Sequence, residues 1–212
     1  MDELDILKKD WKQQEASLPK LSYNEIYKML WKKSSSIVKW IFIISILELL
    51  FWGVLNISLS DGEFWKRMEV INLKEFTVIV YILSYAVTFY FIYRFYRNYK
   101  KISSTDDAAT LMKNILTTRK TVKYYIGFII ISTALTSLVY AYFTIFHHAA
   151  TTEVENVANY SFTVTQWLIL SGVLIFSIGV FLGIIWLFYR LIYGILLNRL
   201  NKNYKELKNL EG

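Results

Sequence analysis

Four apolar stretches, each about the length of a bilayer crossing, constrain this chain more than any other feature. They run over residues 37–59, 76–93, 124–146 and 167–189. A hydrocarbon core of ~30 Å needs ~20 apolar residues in a helix, and runs of about 18 or more with few charges qualify. Glu48 and Lys39 are the only charges inside any stretch, and Lys39 lies at an end where its amine can snorkel to water. The expected fold class is all-α: an integral membrane four-helix bundle with short amphipathic cytoplasmic helices. With 212 residues, four crossings leave no room for a second folded domain, so one membrane domain accounts for the chain.

The formal charge of +7 would point to nucleic acid in a soluble protein, but its distribution points elsewhere. Twenty-one of the 24 Lys and Arg fall in or beside residues 1–36, 94–123 and 190–212. Lys66, Arg67 and Lys74 are the three on the other side. The excess of Lys and Arg on cytoplasmic loops places both termini and the 94–123 loop in the cytoplasm, as expected for a multi-pass protein of a bacterial inner membrane. No nucleic acid partner is expected. Cysteine is absent, which leaves no disulfide or thiolate site. The acidic N-terminus (Asp2, Glu3, Asp5 and Asp10) resembles neither a cleaved signal nor a mitochondrial presequence.

Outside the stretches, Leu4, Leu7 and Trp11 mark one face of a short helix over residues 2–15, which Pro19 interrupts. Ser22 with Glu25 forms a capping box, so a new helix starts near Tyr23 and runs toward the first stretch, with a bend allowed at Ser34–Ser36. Its apolar residues Ile26, Met29, Leu30 and Trp31 suit either the inner membrane surface or the protein's own middle loop, and the residues leave both open. In that loop, Ser103, Ser104 and Thr105 ahead of Asp106 and Asp107 predict a helix start with acids in the first turn. Leu111 and Ile115 then make an apolar stripe. Phe64, Trp65, Met68 and Ile71 predict an interfacial helix in the first outer loop, and residues 149–163 an acidic, flexible one.

Several of these segments carry a resemblance. Leu-Lys-Lys-Asp-Trp at 7–11, Ser-Tyr-Asn-Glu-Ile-Tyr-Lys-Met-Leu at 22–30, Lys-Lys-Ser-Ser-Ser-Ile-Val-Lys-Trp at 32–40 and Thr-Arg-Lys-Thr-Val-Lys-Tyr-Tyr at 118–125 carry it. Together they resemble an uncharacterised family of small bacterial four-span inner-membrane proteins. Members often bear an automatically assigned carotene-oxygenase name, and some lie near genes for alternative sigma factors. The resemblance implies a topology and no chemistry. An oxygenase-type iron centre needs more imidazoles than His147 and His148, so that name does not fit the residues.

Glu48 most needs an explanation, because an ionisable group inside a crossing is a functional hypothesis by default. Counting inward from the end of each stretch places it near mid-bilayer. Its expected neighbours there are Ser84 and Tyr85 of the second stretch, Thr133, Thr136 and Ser137 of the third, and Gly179 and Gly183 of the fourth. Thr133, Thr136, Ser137, Tyr140 and Thr144 form one polar seam, and Tyr81, Ser84, Tyr85 and Thr88 another. These residues make either a proton-linked pocket or an inter-helix clamp around a protonated Glu48, the second being preferred. In the fourth stretch Gly172, Gly179, Gly183 and Gly194 fall on one stripe at ~100° per residue. Such small residues let another helix approach, within the monomer by preference or in a homodimer.

Adjacent histidines on a helix diverge by ~100° and no acid or thiol completes a shell around His147 and His148. Nucleophile motifs, phosphate loops and acidic metal motifs are missing as well. No catalytic, cofactor-binding or metal residue is assigned, and no cofactor is expected. The preferred function is a non-enzymatic regulator or scaffold that presents cytoplasmic helices to a protein partner. A small transporter or channel subunit working through Glu48 is the alternative, and an enzyme of lipid metabolism comes third.

Overall fold

The computed structural model describes Lys8 and residues 22–105, 107–151 and 163–211. The described residues form five helices, α1 Tyr23–Leu59, α2 Gly62–Val70, α3 Lys74–Ser103, α4 Ala108–Thr151 and α5 Val164–Glu211. Among the described residues there is no strand. All but α2 are long and apolar enough to cross a membrane. They run up and down as a ring in which α1 packs on α3 and α5, and α4 on α3 and α5. The start of α1, the α3–α4 connection and the end of α5 meet at one end, where most Lys and Arg gather. This is called the basic end below. Apart from Lys8, the expected helix over residues 2–15, with Leu4, Leu7 and Trp11, lies outside the described residues, as do Glu153 and Glu155 of the acidic loop.

Local chemistry sets the helix ends. The Ser22 hydroxyl accepts from the Glu25 N–H at 3.3 Å, and the Glu25 carboxylate accepts from the Ser22 N–H at 2.8 Å, closing the capping box. The backbone N–H and hydroxyl of Ser22 hold the Glu25 carboxyl below the usual carboxylate range. From there α1 runs unbroken through Ser34–Ser36. Asp61 caps α2 by accepting from the Phe64 N–H at 2.8 Å. Asn72, at φ 54°, takes the left-handed turn into α3, a conformation Asn tolerates better than most residues.

The α3–α4 connection corrects one expectation. Ser103, Ser104 and Thr105 do not open α4. Their hydroxyls donate back to the carbonyls of Lys100 and Lys101 and so close α3. Asp107 caps α4, accepting from the Thr110 N–H at 2.7 Å, and α4's first turn holds no acid. That same N–H draws the Asp107 carboxyl below its usual range.

At ~1.5 Å per residue, the 37, 44 and 48 residues of α1, α4 and α5 span roughly 55, 66 and 72 Å. A core of ~30 Å accounts for only part of that length. The remainder continues the spans into a second bundle at the basic end, as the run of the Tyr23 helix toward the first stretch anticipated. Its core is largely apolar: Leu30, Val38, Ile102, Leu111, Ile115, Leu200 and Leu207 are almost completely buried. The Trp31 indole N–H donates to the Ile102 carbonyl at 2.9 Å and the Tyr27 hydroxyl to the Thr105 carbonyl at 3.4 Å. Of the two readings for residues 23–36, the geometry is therefore packing on the protein's own middle loop. The Leu111 and Ile115 stripe faces the same core instead of lying open.

Two buried polar pairs cross this bundle. Asn203 Nδ2 donates to Ser34 Oγ at 3.1 Å between α5 and α1, and Asn98 Nδ2 to Thr121 Oγ1 at 3.2 Å between α3 and α4. Further along the axis the character changes. Side chains such as Ile79, Ile131, Leu168 and Phe176 are apolar and exposed, as a lipid-facing surface requires. The molecule is packed tightly at its basic end and loosely within its apolar length.

Candidate functional site

Where the tight and loose regions meet, α1 carries Glu48, 8% exposed. Tyr189 and Tyr193 are four residues apart on α5, and that spacing puts both on one helix face. Their rings stack at 5.9 Å and 17°. The Tyr193 hydroxyl donates to Glu48 Oε2 at 3.1 Å, and the Tyr189 hydroxyl donates to Oε1. Tyr125 of α4 stands edge-on to both rings, 6.1 Å from each, with its hydroxyl toward the same carboxyl. Phe95 of α3 meets Tyr125 edge-on at 5.6 Å. All four long helices thus contribute to this junction, with Ile41 and Val122 filling the space below.

The arrangement tolerates either charge state. An ionised carboxylate accepts from both phenols, and a protonated one donates to one phenol oxygen while accepting from the other. Burial of a carboxyl is tolerable only with such partners. Among the described residues, no Lys, Arg or His pairs with Glu48.

The depth of Glu48 is a correction. It does not sit beside Thr133, Thr136 and Ser137 at the middle of the apolar length. Tyr189 and Tyr125, its actual neighbours, lie at the basic ends of the fourth and third stretches. They adjoin Arg190, stacked 4.9 Å over Trp186, and Tyr124, under Lys120 at 5.7 Å. Thr133 is eight residues beyond Tyr125, about 12 Å along the helix axis. Counting from each stretch's end failed because the first stretch begins inside the basic-end bundle. The pair Ser34–Asn203 and the pair Glu48–Tyr189 set one antiparallel register between α1 and α5.

The anticipated polar residues do come together, though not on Glu48. Ser84, Tyr85, Thr133, Thr136 and Ser137 line a single cavity of about 390 Å³, and Glu48 lines it at the basic end with Tyr125 and Tyr189. Tyr85 is held by Asn56, whose Nδ2 donates to its hydroxyl at 3.2 Å. Tyr140 closes the opposite end by donating to Thr77 Oγ1 at 2.8 Å. Trp52, Tyr81 and Phe128 add aromatic wall, and the cavity is partly open to the outside of the bundle. Tyr125, Tyr189 and Tyr193 escaped the sequence reading, although a tyrosine pair four apart at the end of an apolar stretch was a usable signal. Thr144 is not among the lining residues.

The glycine stripe is the second correction. A Cβ built on Gly172, Gly179 or Gly183 meets nothing within 4 Å, and one on Gly194 meets only Arg190 Cγ of its own helix. Among the described residues no helix packs closely there, so packing against those helices is not their role. Replacing Gly179 and Gly183 together with Leu is expected to keep or slightly raise the melting temperature in detergent, since Leu favours helix over Gly by up to ~1 kcal/mol. A large fall in melting temperature would contradict this open face.

No three of His, Cys, Asp and Glu gather into a metal shell among the described residues. His147 and His148 belong to α4, and their side chains lie outside the described residues. The chain belongs to the family described as a domain of unknown function, DUF8845, which matches residues 24–212. No curated protein and no solved structure matches it.

Proposed function

We propose that this member of the family is a non-enzymatic regulator or scaffold of a bacterial inner membrane. Both termini and the basic-end bundle would be cytoplasmic, as the lysine and arginine bias indicates. In this reading the cavity receives an input from within the membrane, and the cytoplasmic bundle presents it to a protein partner. One observation carries the proposal. α1, α4 and α5 each supply wall to the cavity and core to the basic-end bundle, without a break between the two. A change in cavity shape therefore has a rigid path to the other end. Leu30, Leu111 and Ile115 of the apolar stripes are buried and Met29 is exposed, so a partner would read an outer surface that is mostly charged. A homodimer through the open glycine face is compatible with this role.

The test uses spin labels on cysteines replacing the exposed Lys33 and Lys202. Filling the cavity by Thr133→Phe should change the distance distribution between the labels. An unchanged distribution in a folded protein would sink the regulator reading. An impermeant thiol reagent should label Lys66→Cys but not Ser104→Cys in intact cells or spheroplasts, and the reverse would sink the orientation.

The transporter alternative keeps one supporting observation, a carboxyl at the end of a partly open cavity. Against it, the tyrosine cluster and the largely apolar core beneath close that end. Proton- or cation-coupled flux in proteoliposomes, lost in Glu48→Gln, would favour it over the regulator.

A further inference from the structure

The cavity wall has a charge signature that limits what it accepts. Among the described residues, its lining holds one carboxyl, Glu48, and no Lys, Arg or His. An anionic ligand would find hydroxyls but no cation, and it would meet Glu48 at the basic end. Much of the rest is aromatic: Trp52, Tyr81, Tyr85 and Tyr140 line the space, with Phe128 and Phe181. A ring face attracts a cation through its quadrupole, and more strongly where water is excluded. Hydroxyls of Ser84, Thr133, Thr136 and Ser137 add acceptors along the wall. About 390 Å³ falls within the range of small-molecule sites and suits a body of one ring with a short chain. The partial opening lies on a bundle whose flank is apolar, which admits molecules that partition into lipid.

We infer that the cavity binds a lipophilic organic monocation, an amine on an apolar body, with its ammonium at Glu48 and its body against the aromatic wall. The inference rests on reading the cavity as the input site and adds the chemical class of what enters. Glu48 is suited to this because its two phenol partners hold the carboxylate in place while leaving it without a protein countercharge. The incoming ammonium supplies that charge. Association with a buried, hydrogen-bonded carboxylate is the kind of charge-assisted contact that discriminates between otherwise equal ligands.

Phenylbutylamine, phenylbutanol and phenylbutyrate share one body and differ in head group, so they separate cavity binding from charge selection. The full chain is placed in nanodiscs of phosphatidylcholine, a lipid without net charge, and titrated with each at neutral pH, with empty nanodiscs as the partition control. The amine should bind at least tenfold more tightly than the alcohol, and the butyrate most weakly. Glu48→Gln should bring the amine down to the alcohol's affinity while the alcohol is unaffected. Thr133→Phe should abolish both. Equal binding of all three heads would overturn the cation inference and leave the cavity as an input site. Saturable binding of none, or binding that survives Thr133→Phe, would overturn both.

Discussion

Glu48→Leu should lower the melting temperature of the detergent-solubilised protein by on the order of 10 °C, while Glu48→Gln should leave it almost unchanged. The leucine removes both acceptors of the Tyr189 and Tyr193 hydroxyls. A buried donor left unpaired costs about 1–3 kcal/mol, and two are stranded here. For a chain of this length each kcal/mol is worth roughly 2–4 °C. Glutamine avoids the loss, because its carbonyl accepts from one phenol and its amide donates to the other. The measurement is a melting curve for each variant, followed by tyrosine fluorescence or differential scanning calorimetry. Equal melting points for the leucine and glutamine variants would mean that the tyrosine cluster does not hold the junction together.

A still larger effect is expected at the basic end. Leu111→Ala with Ile115→Ala should unfold that bundle at moderate temperature. Each side chain is fully buried, and such truncations cost about 2–5 kcal/mol apiece through lost burial and the cavity left behind. The pair together approaches the whole stability of a typical domain, about 5–15 kcal/mol. The matched control is Ile131→Ala with Leu135→Ala on the same helix, 62% and 60% exposed on the apolar flank. Those truncations remove no packed neighbour and should cost under about 1 kcal/mol in total. Limited proteolysis with trypsin reads the difference, since Lys113, Arg119, Lys120 and Lys123 lie along the affected part of α4. Equal protease resistance in the two double variants would show that the basic-end core does not carry the stability assigned to it.

Both contrasts turn on features of unequal legibility in the sequence. The four crossings were plain, because apolar runs of that length with so few charges have no other use in a helical chain. The capping box at Ser22 and the α2 helix with Trp65 were equally local, and local chemistry was enough to place them. Relative height was not legible. The first stretch is apolar from Ile37 onward, but its initial turns pack among Phe95, Val122 and Tyr193, so hydropathy could not tell a buried protein interior from lipid. Glu48 was for that reason placed too deep, and its phenol partners were missed. The seams of Ser84 and Tyr85, and of Thr133, Thr136 and Ser137, were legible as helix faces without their depth mattering. Open space beside Gly179 and Gly183 was invisible, since small residues mark a close approach and a bare surface alike.

The amide–hydroxyl pairs Ser34–Asn203 and Asn98–Thr121 act as detents on the motions left to the molecule. A piston stroke of one helical turn, about 5.4 Å, would pull each amide away from its hydroxyl. Axial sliding therefore meets a penalty on two helix pairs at once, one joining α1 to α5 and one joining α3 to α4.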